Sequence, residues 1–240
     1  MKLYTIRTFL LDLVFPKRCL GCQKELKVKD AFFICGACFE KIALNSGIRC
    51  HICGLRNKKG TCRRCRKKTP LTGLFAAGPY QDQILKEMIH RFKYQSIESL
   101  KKPLAQLIIN YLEKELLNNK LKNYVLTPIP LSLRRKINRG FNQSELLAVE
   151  ISKYLNLPVV NLLKRKKFTA PQADISDWQK RKENISGAFE MIDSKNQSGR
   201  YKKVILVDDV ATSGATLEEA ARVLKEAGIK EVYGLVVARG

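Results

Sequence analysis

Leu85, Met88, Ile89 and Phe92 fall at helical spacing, as do Leu100, Leu104, Leu107, Ile108 and Tyr111, with polar and charged positions between them. A recurrence every three to four residues marks one face of a helix turned toward a core. Short unbroken apolar runs at Tyr124–Leu126, Val204–Val207 and Val232–Val237 predict buried strands, and Leu217, Ala220, Ala221 and Leu224, closed by Gly228, predict a further helix. Strands alternating with helices argue for an α/β domain with a mainly parallel sheet flanked by helices, its ligands at the carboxyl ends of the strands.

The pattern changes near residue 70. Pro70 to Pro79 reads as a turn-rich connector, which divides the chain into residues 1–70 and 71–240. No apolar run approaches the ~18 residues of a membrane span. Residues 1–15, MKLYTIRTFLLDLVF, resemble a leader, but Arg7 and Asp12 interrupt them and no small-residue cleavage site follows. An amphipathic helix capping the next module is expected there instead. With no export signal the chain is expected in the cytosol, where thiols stay reduced, so its eight cysteines need a use other than disulfides.

All eight fall into four pairs of identical spacing: Cys19 and Cys22, Cys35 and Cys38, Cys50 and Cys53, Cys62 and Cys65. A two-residue gap lets both sulfurs of a tight turn face one ion, and two such knuckles complete the tetrahedral thiolate cage that zinc favours. Two zinc sites follow. Sequential pairing, as in a double zinc ribbon, is favoured by its short loops over interleaved pairing, as in a RING module, and both schemes stay open at this level. Full thiolate shells leave no open position, so the zincs are expected to be structural, and His51 is expected to be an ordinary loop residue.

Charge adds a second theme. The 240 residues carry 45 Lys and Arg against 22 Asp and Glu, a net +23. Two zinc ions add four charges and eight thiolates remove eight, leaving the loaded chain at about +19. No acid lies between Glu40 and Asp82, while Arg56, Lys58, Lys59, Arg63, Arg64, Arg66, Lys67 and Lys68 crowd the second zinc loop. Contact with a polyanion, single-stranded DNA in particular, is expected through salt-dependent neutralisation of phosphates, without sequence readout.

The most informative segment runs Val204-Ile-Leu-Val-Asp208-Asp209-Val-Ala-Thr212-Ser213-Gly214-Ala215-Thr216. It reads as strand, acidic pair, tight loop and helix start. Backbone amides of residues 212–216, freed for close approach by Gly214, would cradle a phosphate. Two carboxylates beside that cradle would repel the phosphate unless a ribose lay between them, its hydroxyls donating to Asp208 and Asp209. The ordered combination resembles the signature of type I phosphoribosyltransferases, which bind phosphoribosyl pyrophosphate (PRPP) in this manner. Ala215 departs from that signature, since many members have a second glycine there.

Upstream, Pro128-Ile129-Pro130 ends a predicted strand and leads into Arg134, Arg135, Arg139, Gly140, Phe141, Asn142 and Gln143. Together with the cysteine knuckles, with Phe92-Lys93-Tyr94 and with the run from Arg165 through Thr169, Gln172, Arg181, Asn184, Gly187 and Phe189, this resembles the ComF/ComFC family of competence-associated proteins over essentially the whole chain. The resemblance implies a double zinc-ribbon module on a phosphoribosyltransferase-fold domain, a role in DNA uptake during natural transformation, and partners among DNA-uptake, helicase or recombination proteins. It also implies that the loop after residue 128 holds pyrophosphate, with Arg134, Arg135 and Arg139 as planar donors and Lys93 reaching the same anion. Residues 164–184 are expected to form a mobile loop closing over substrate, with Arg165, Gln172, Arg181 and Asn184 as contacts.

If the protein is an enzyme, Mg²⁺ bound with PRPP, helped by Arg134, Arg135 or Lys93, would stabilise departing pyrophosphate while a nitrogen nucleophile attacks C1′. The alternative is a DNA-binding adaptor of the competence machinery whose PRPP site is a sensor or a relic.

Overall fold

The computed structural model describes residues 17–26, 33–57, 60–169, 177–192 and 200–240. The helix expected over residues 1–15, Lys58, Lys59 and Gln172 lie outside them. Among the described residues the helices are α1 (Gly36–Glu40), α2 (Gln83–Tyr94), α3 (Lys101–Lys114), α4 (Leu133–Arg139), α5 (Gln143–Leu155), α6 (Trp178–Ile185) and α7 (Ala215–Glu226). The strands are β1 (Gly73–Pro79), β2 (Val125–Pro128), β3 (Leu163–Arg165), β4 (Phe189–Met191), β5 (Lys203–Ala211) and β6 (Glu231–Arg239).

Four strands form one wholly parallel sheet in the order β1-β6-β5-β2, and β3 and β4 make a separate antiparallel pair. Alternation along each strand sends side chains to opposite faces. Ile205 and Val207 of β5, with Phe75 of β1 and Leu235 of β6, pack beneath α2, α3 and α5. Val204, Leu206, Leu74 and Val236 pack on the other face against α7 and the β3–β4 pair. The predicted apolar face of α2 is fully enclosed, and Asp82 caps that helix by accepting from the Leu85 amide at 2.9 Å.

Two expectations need correction. Gly73–Pro79 is not connector but the edge strand β1, nearly all of it buried. Its glycines mark close packing rather than turns, because a Cβ on Gly73 would stand 2.8 Å from both the Gly60 Cα and the Tyr233 ring, and one on Gly78 would stand 2.6 Å from a Leu85 methyl. Nor is 164–184 one loop. Its start belongs to β3, held by β4, and its end forms α6, capped by Asp177, which accepts from the Lys180 amide at 2.8 Å. No helix among the described residues is long and apolar enough to cross a membrane.

Candidate functional site

The zinc ligands come first in the chain. Cys19, Cys22, Cys35 and Cys38 bring their sulfurs within 4.8 Å of one another, and so do Cys50, Cys53, Cys62 and Cys65, so the pairing is sequential. Sulfur separations are 3.6 Å for Cys19–Cys35, 3.9 Å for Cys22–Cys35 and 3.7 Å for Cys53–Cys62. A tetrahedron with Zn–S bonds of ~2.3 Å has edges of about 3.8 Å, so both quartets fit zinc. Burial, then hydrogen bonding from Cys35, pushes the Cys38 thiol up to about 12, and burial followed by Cys62 does the same for Cys65. Burial also pushes on Cys19 and Cys50, but amides of neighbouring residues outweigh it and hold both near about 6. A divalent ion binds the thiolate forms and would displace the protons of each quartet.

His51 is not the ordinary loop residue expected. Its ring is buried, with Nε2 2.8 Å from Glu218 Oε1 and 2.9 Å from Thr69 Oγ1. The third knuckle thereby touches the first turn of α7.

At the carboxyl end of the sheet, β5 delivers Asp208 and Asp209 to a cleft also lined by Lys93, Arg135, Arg139, Ser144, Arg165, Thr212 and Thr216. Asp208 is partly buried and accepts from Ser144 Oγ at 3.0 Å and from the Asp209 amide at 2.9 Å. Burial, then the charge of Asp209, raises its pKa to about 7 against the pull of Lys93. Asp209 is buried and ion-paired to Lys93 Nζ at 2.8 Å. Burial works against the Lys93 charge, but the two carboxylates prevail and the ammonium pKa lies above its ordinary value. Lys93 occupies the last turn of α2, and its partner is the Asp209 carboxylate.

After Ala211 the chain turns through Thr212 and Ser213 to Gly214, the residue preceding α7, at φ +78°. Only glycine takes that conformation freely, and the leading amides of the following helix have no carbonyl of their own to bond. Ala215 is buried among Leu217, Ala220 and the β5 side chains, so its methyl faces the core and not the loop's outer side. The departure from a second glycine is therefore accommodated by packing.

On the opposite wall, α4 sorts the three arginines by its period. Arg135 and Arg139, four residues apart, both line the cleft, while Arg134 is exposed, sits 5.2 Å from the Phe168 ring centroid and is not among the lining residues. Arg135 donates to the Thr169 carbonyl at 2.8 Å and Arg165 donates to the Thr169 hydroxyl, so β3 and α4 meet at one buried threonine. Burial, then the facing Arg135, lowers Arg165 to about 10, which leaves it charged at neutral pH. Arg181 and Asn184, on α6, are not among the lining residues.

Lys93, Arg135, Arg139 and Arg165 outnumber the two carboxylates, so the cleft as a whole favours an anion while its floor favours hydroxyl donors. Ser144, Tyr80 and His90 also line it and were not singled out by the sequence. The available signal for Ser144 was Asn142, which caps α5 by accepting from the Ser144 amide at 3.1 Å and so fixes that serine in the first turn. Asn142 also donates to the Ile129 carbonyl at 3.1 Å and Gln143 to the Phe92 carbonyl at 3.2 Å, tying α5 to the loop after β2 and to α2.

Comparison with known proteins is consistent with both modules. Residues 142–240 match the phosphoribosyl transferase domain and residues 10–66 the double zinc ribbon domain. The chain is 31% identical to competence protein F of Haemophilus influenzae over 223 residues, covering 92% of this chain and 90% of that one. It is 31% identical to competence protein ComFC of Bacillus subtilis over 208 residues, 81% and 79% of the two chains. The DNA utilization protein YhgH of Escherichia coli K12 is 29% identical over 229 residues, 92% and 96% of the two chains.

Proposed function

The chain belongs to the ComF/ComFC family of competence proteins, and from that premise we propose that it binds PRPP at the carboxyl end of its sheet and contacts single-stranded DNA during DNA uptake. One observation carries the reading: two strand-end carboxylates, a glycine-initiated helix start and a cationic wall converge on one cleft. The loop at 212–216 takes the 5′-phosphate, Asp208 and Asp209 accept from the ribose hydroxyls, and Arg135, Arg139 and Arg165 face the pyrophosphate. Hard carboxylate and hydroxyl oxygens suit Mg²⁺, which when bound with PRPP would neutralise charge on the pyrophosphate. On binding, Lys93 leaves Asp209 or bridges it to the ligand.

In an enzyme the C1′–O bond to pyrophosphate breaks, the leaving group keeps the electron pair, and a nitrogen nucleophile forms the new bond to C1′. Here the arginines hold the leaving group and the loop holds the sugar in line. The second reading is a non-catalytic adaptor that senses PRPP, supported by the Lys93–Asp209 ion pair, which neutralises one of the two carboxylates.

Calorimetric titration with PRPP and Mg²⁺ tests the pocket. Wild type should bind, and Asp208→Asn with Asp209→Asn should weaken binding by about 100-fold. Equal affinities would remove the proposal. Pyrophosphate release against candidate bases and amines then separates enzyme from sensor.

DNA contact is supported by the outer face of the second zinc loop, where Arg63, Arg64, Arg66, Lys67 and Lys68 are all exposed. Further support comes from the cleft rim, where Arg139 lies over exposed Tyr94 and Arg134 over exposed Phe168, both at 5.2 Å. Affinity for a single-stranded oligonucleotide should fall steeply with salt, and neutralising the five loop residues should flatten that slope. A salt-independent affinity would count against it.

A further inference from the structure

We infer that the third zinc knuckle, Cys50 to Cys53, is a strut for the loop at 212–214 and that His51 is the positioning residue through which it acts. The significance for ligand binding rests on the reading of that loop as the 5′-phosphate site.

The knuckle holds the loop at both ends. On the exit side, His51 Nε2 bonds Glu218 Oε1 at 2.8 Å, and since a carboxylate only accepts, Nε2 carries the proton. Glu218 lies one turn into α7, and its amide donates to the Gly214 carbonyl at 2.9 Å. The imidazole also sits against the left-handed glycine itself, because a Cβ on Gly214 would stand 3.6 Å from His51 Cδ2. On the entry side, Arg239 at the end of β6 donates to the carbonyl of His51 at 2.8 Å and to that of Cys50 at 3.3 Å. Arg239 is the register partner of Ala211, the last residue before the loop, and the Gly240 amide donates to the Ala211 carbonyl at 3.1 Å.

Two consequences follow. A loop clamped at entry and exit loses less conformational freedom when its amides close on a phosphate, so it binds more tightly. Glu218 is also an acid beside a helix N-terminus, where it competes with any incoming anion. Its hydrogen bond to His51 keeps that carboxylate turned into the interface. The knuckle needs its zinc to keep its shape, so filling of the Cys50, Cys53, Cys62 and Cys65 quartet is linked to order in the loop.

The experiment compares zinc-loaded full-length wild type with His51→Ala and His51→Gln by hydrogen–deuterium exchange, zinc content and PRPP titration. The Ala variant should retain both zinc ions, exchange faster over residues 211–217 and not over α3, and bind PRPP about tenfold more weakly. The Gln variant, whose amide nitrogen stands where Nε2 stood, should recover both properties. Unchanged exchange over 211–217 in the Ala variant overturns the strut. If His51→Ala does not fold, Glu218→Ala cuts the same contact from α7 and should speed exchange in the loop with zinc retained; unchanged exchange there also overturns it. A wild type that binds no PRPP sinks the phosphate reading, while the exchange measurement still decides the strut.

Discussion

The two cysteine quartets share spacing and ligand chemistry, yet the fold holds them differently. Cys19 and Cys38 lie in the same apolar cluster as Ile34, Ile42, Phe75, Met88 and Leu104, so the first ion's cage is continuous with the main core. Cys50, Cys62 and Cys65 form a small cluster of their own, joined to the α/β domain through His51 and Arg239 by directional polar contacts. Apolar burial is non-directional and contributes mainly stability, whereas a few hydrogen bonds at set angles contribute position. One quartet therefore anchors the fold and the other orients a loop.

The largest expected effect tests that division directly. Cys38→Ser should destabilise the whole protein by about 4 kcal/mol or prevent folding, while Cys65→Ser should cost about 2 kcal/mol, measured by denaturant unfolding with zinc content recorded. A reversed order would break the comparison.

Next comes Gly60, at φ +93°, where a Cβ would stand 2.2 Å from the Thr72 carbonyl oxygen. Gly60→Ala strains the seat of the second zinc loop against the start of β1 and should cost about 3 kcal/mol, with the second zinc released first on titration with a chelator.

A pH series separates the cleft from both zinc sites. The folded pKa of Asp208, about 7, lies above its ordinary 3.8. Its contribution to stability is therefore fully present below pH ~4 and is lost as pH rises through ~7. Asp208→Asn keeps an acceptor for Ser144 but cannot ionise. Without ligand it should melt like wild type near pH 4 and about 5 °C higher near pH 8, read by thermal denaturation. A constant difference across the range would show that ionisation of Asp208 is not the cause.

The smallest effect is Arg239→Lys. One ammonium cannot serve two carbonyls as the guanidinium does, so a loss of about 1 kcal/mol is expected, together with faster exchange at Gly214 and little change around Cys19.

The elements and the chemistry were legible where one residue type has one use. Helical spacing at Leu85, Met88, Ile89 and Phe92 found α2, and apolar runs found β5 and β6. β1 escaped because its alanines and glycines carry little apolar signal and suit it to tight packing, which looks like a turn in one dimension. Arg134, Arg135 and Arg139 formed one basic group in the sequence, and only the period of α4 divided them between cleft and exterior.

By itself the chain's order of residues determined which side chains are zinc ligands, since four Cys-x-x-Cys pairs admit few uses, and it determined the acidic strand end and its glycine loop. Tertiary structure alone decided which knuckles share an ion, that Lys93 meets Asp209 and Ser144 meets Asp208, and that a histidine between two zinc ligands reaches a helix 167 residues away. The reason is physical: ligand chemistry and helix period act over neighbouring residues, but contacts between distant segments exist only once burial has brought the layers together.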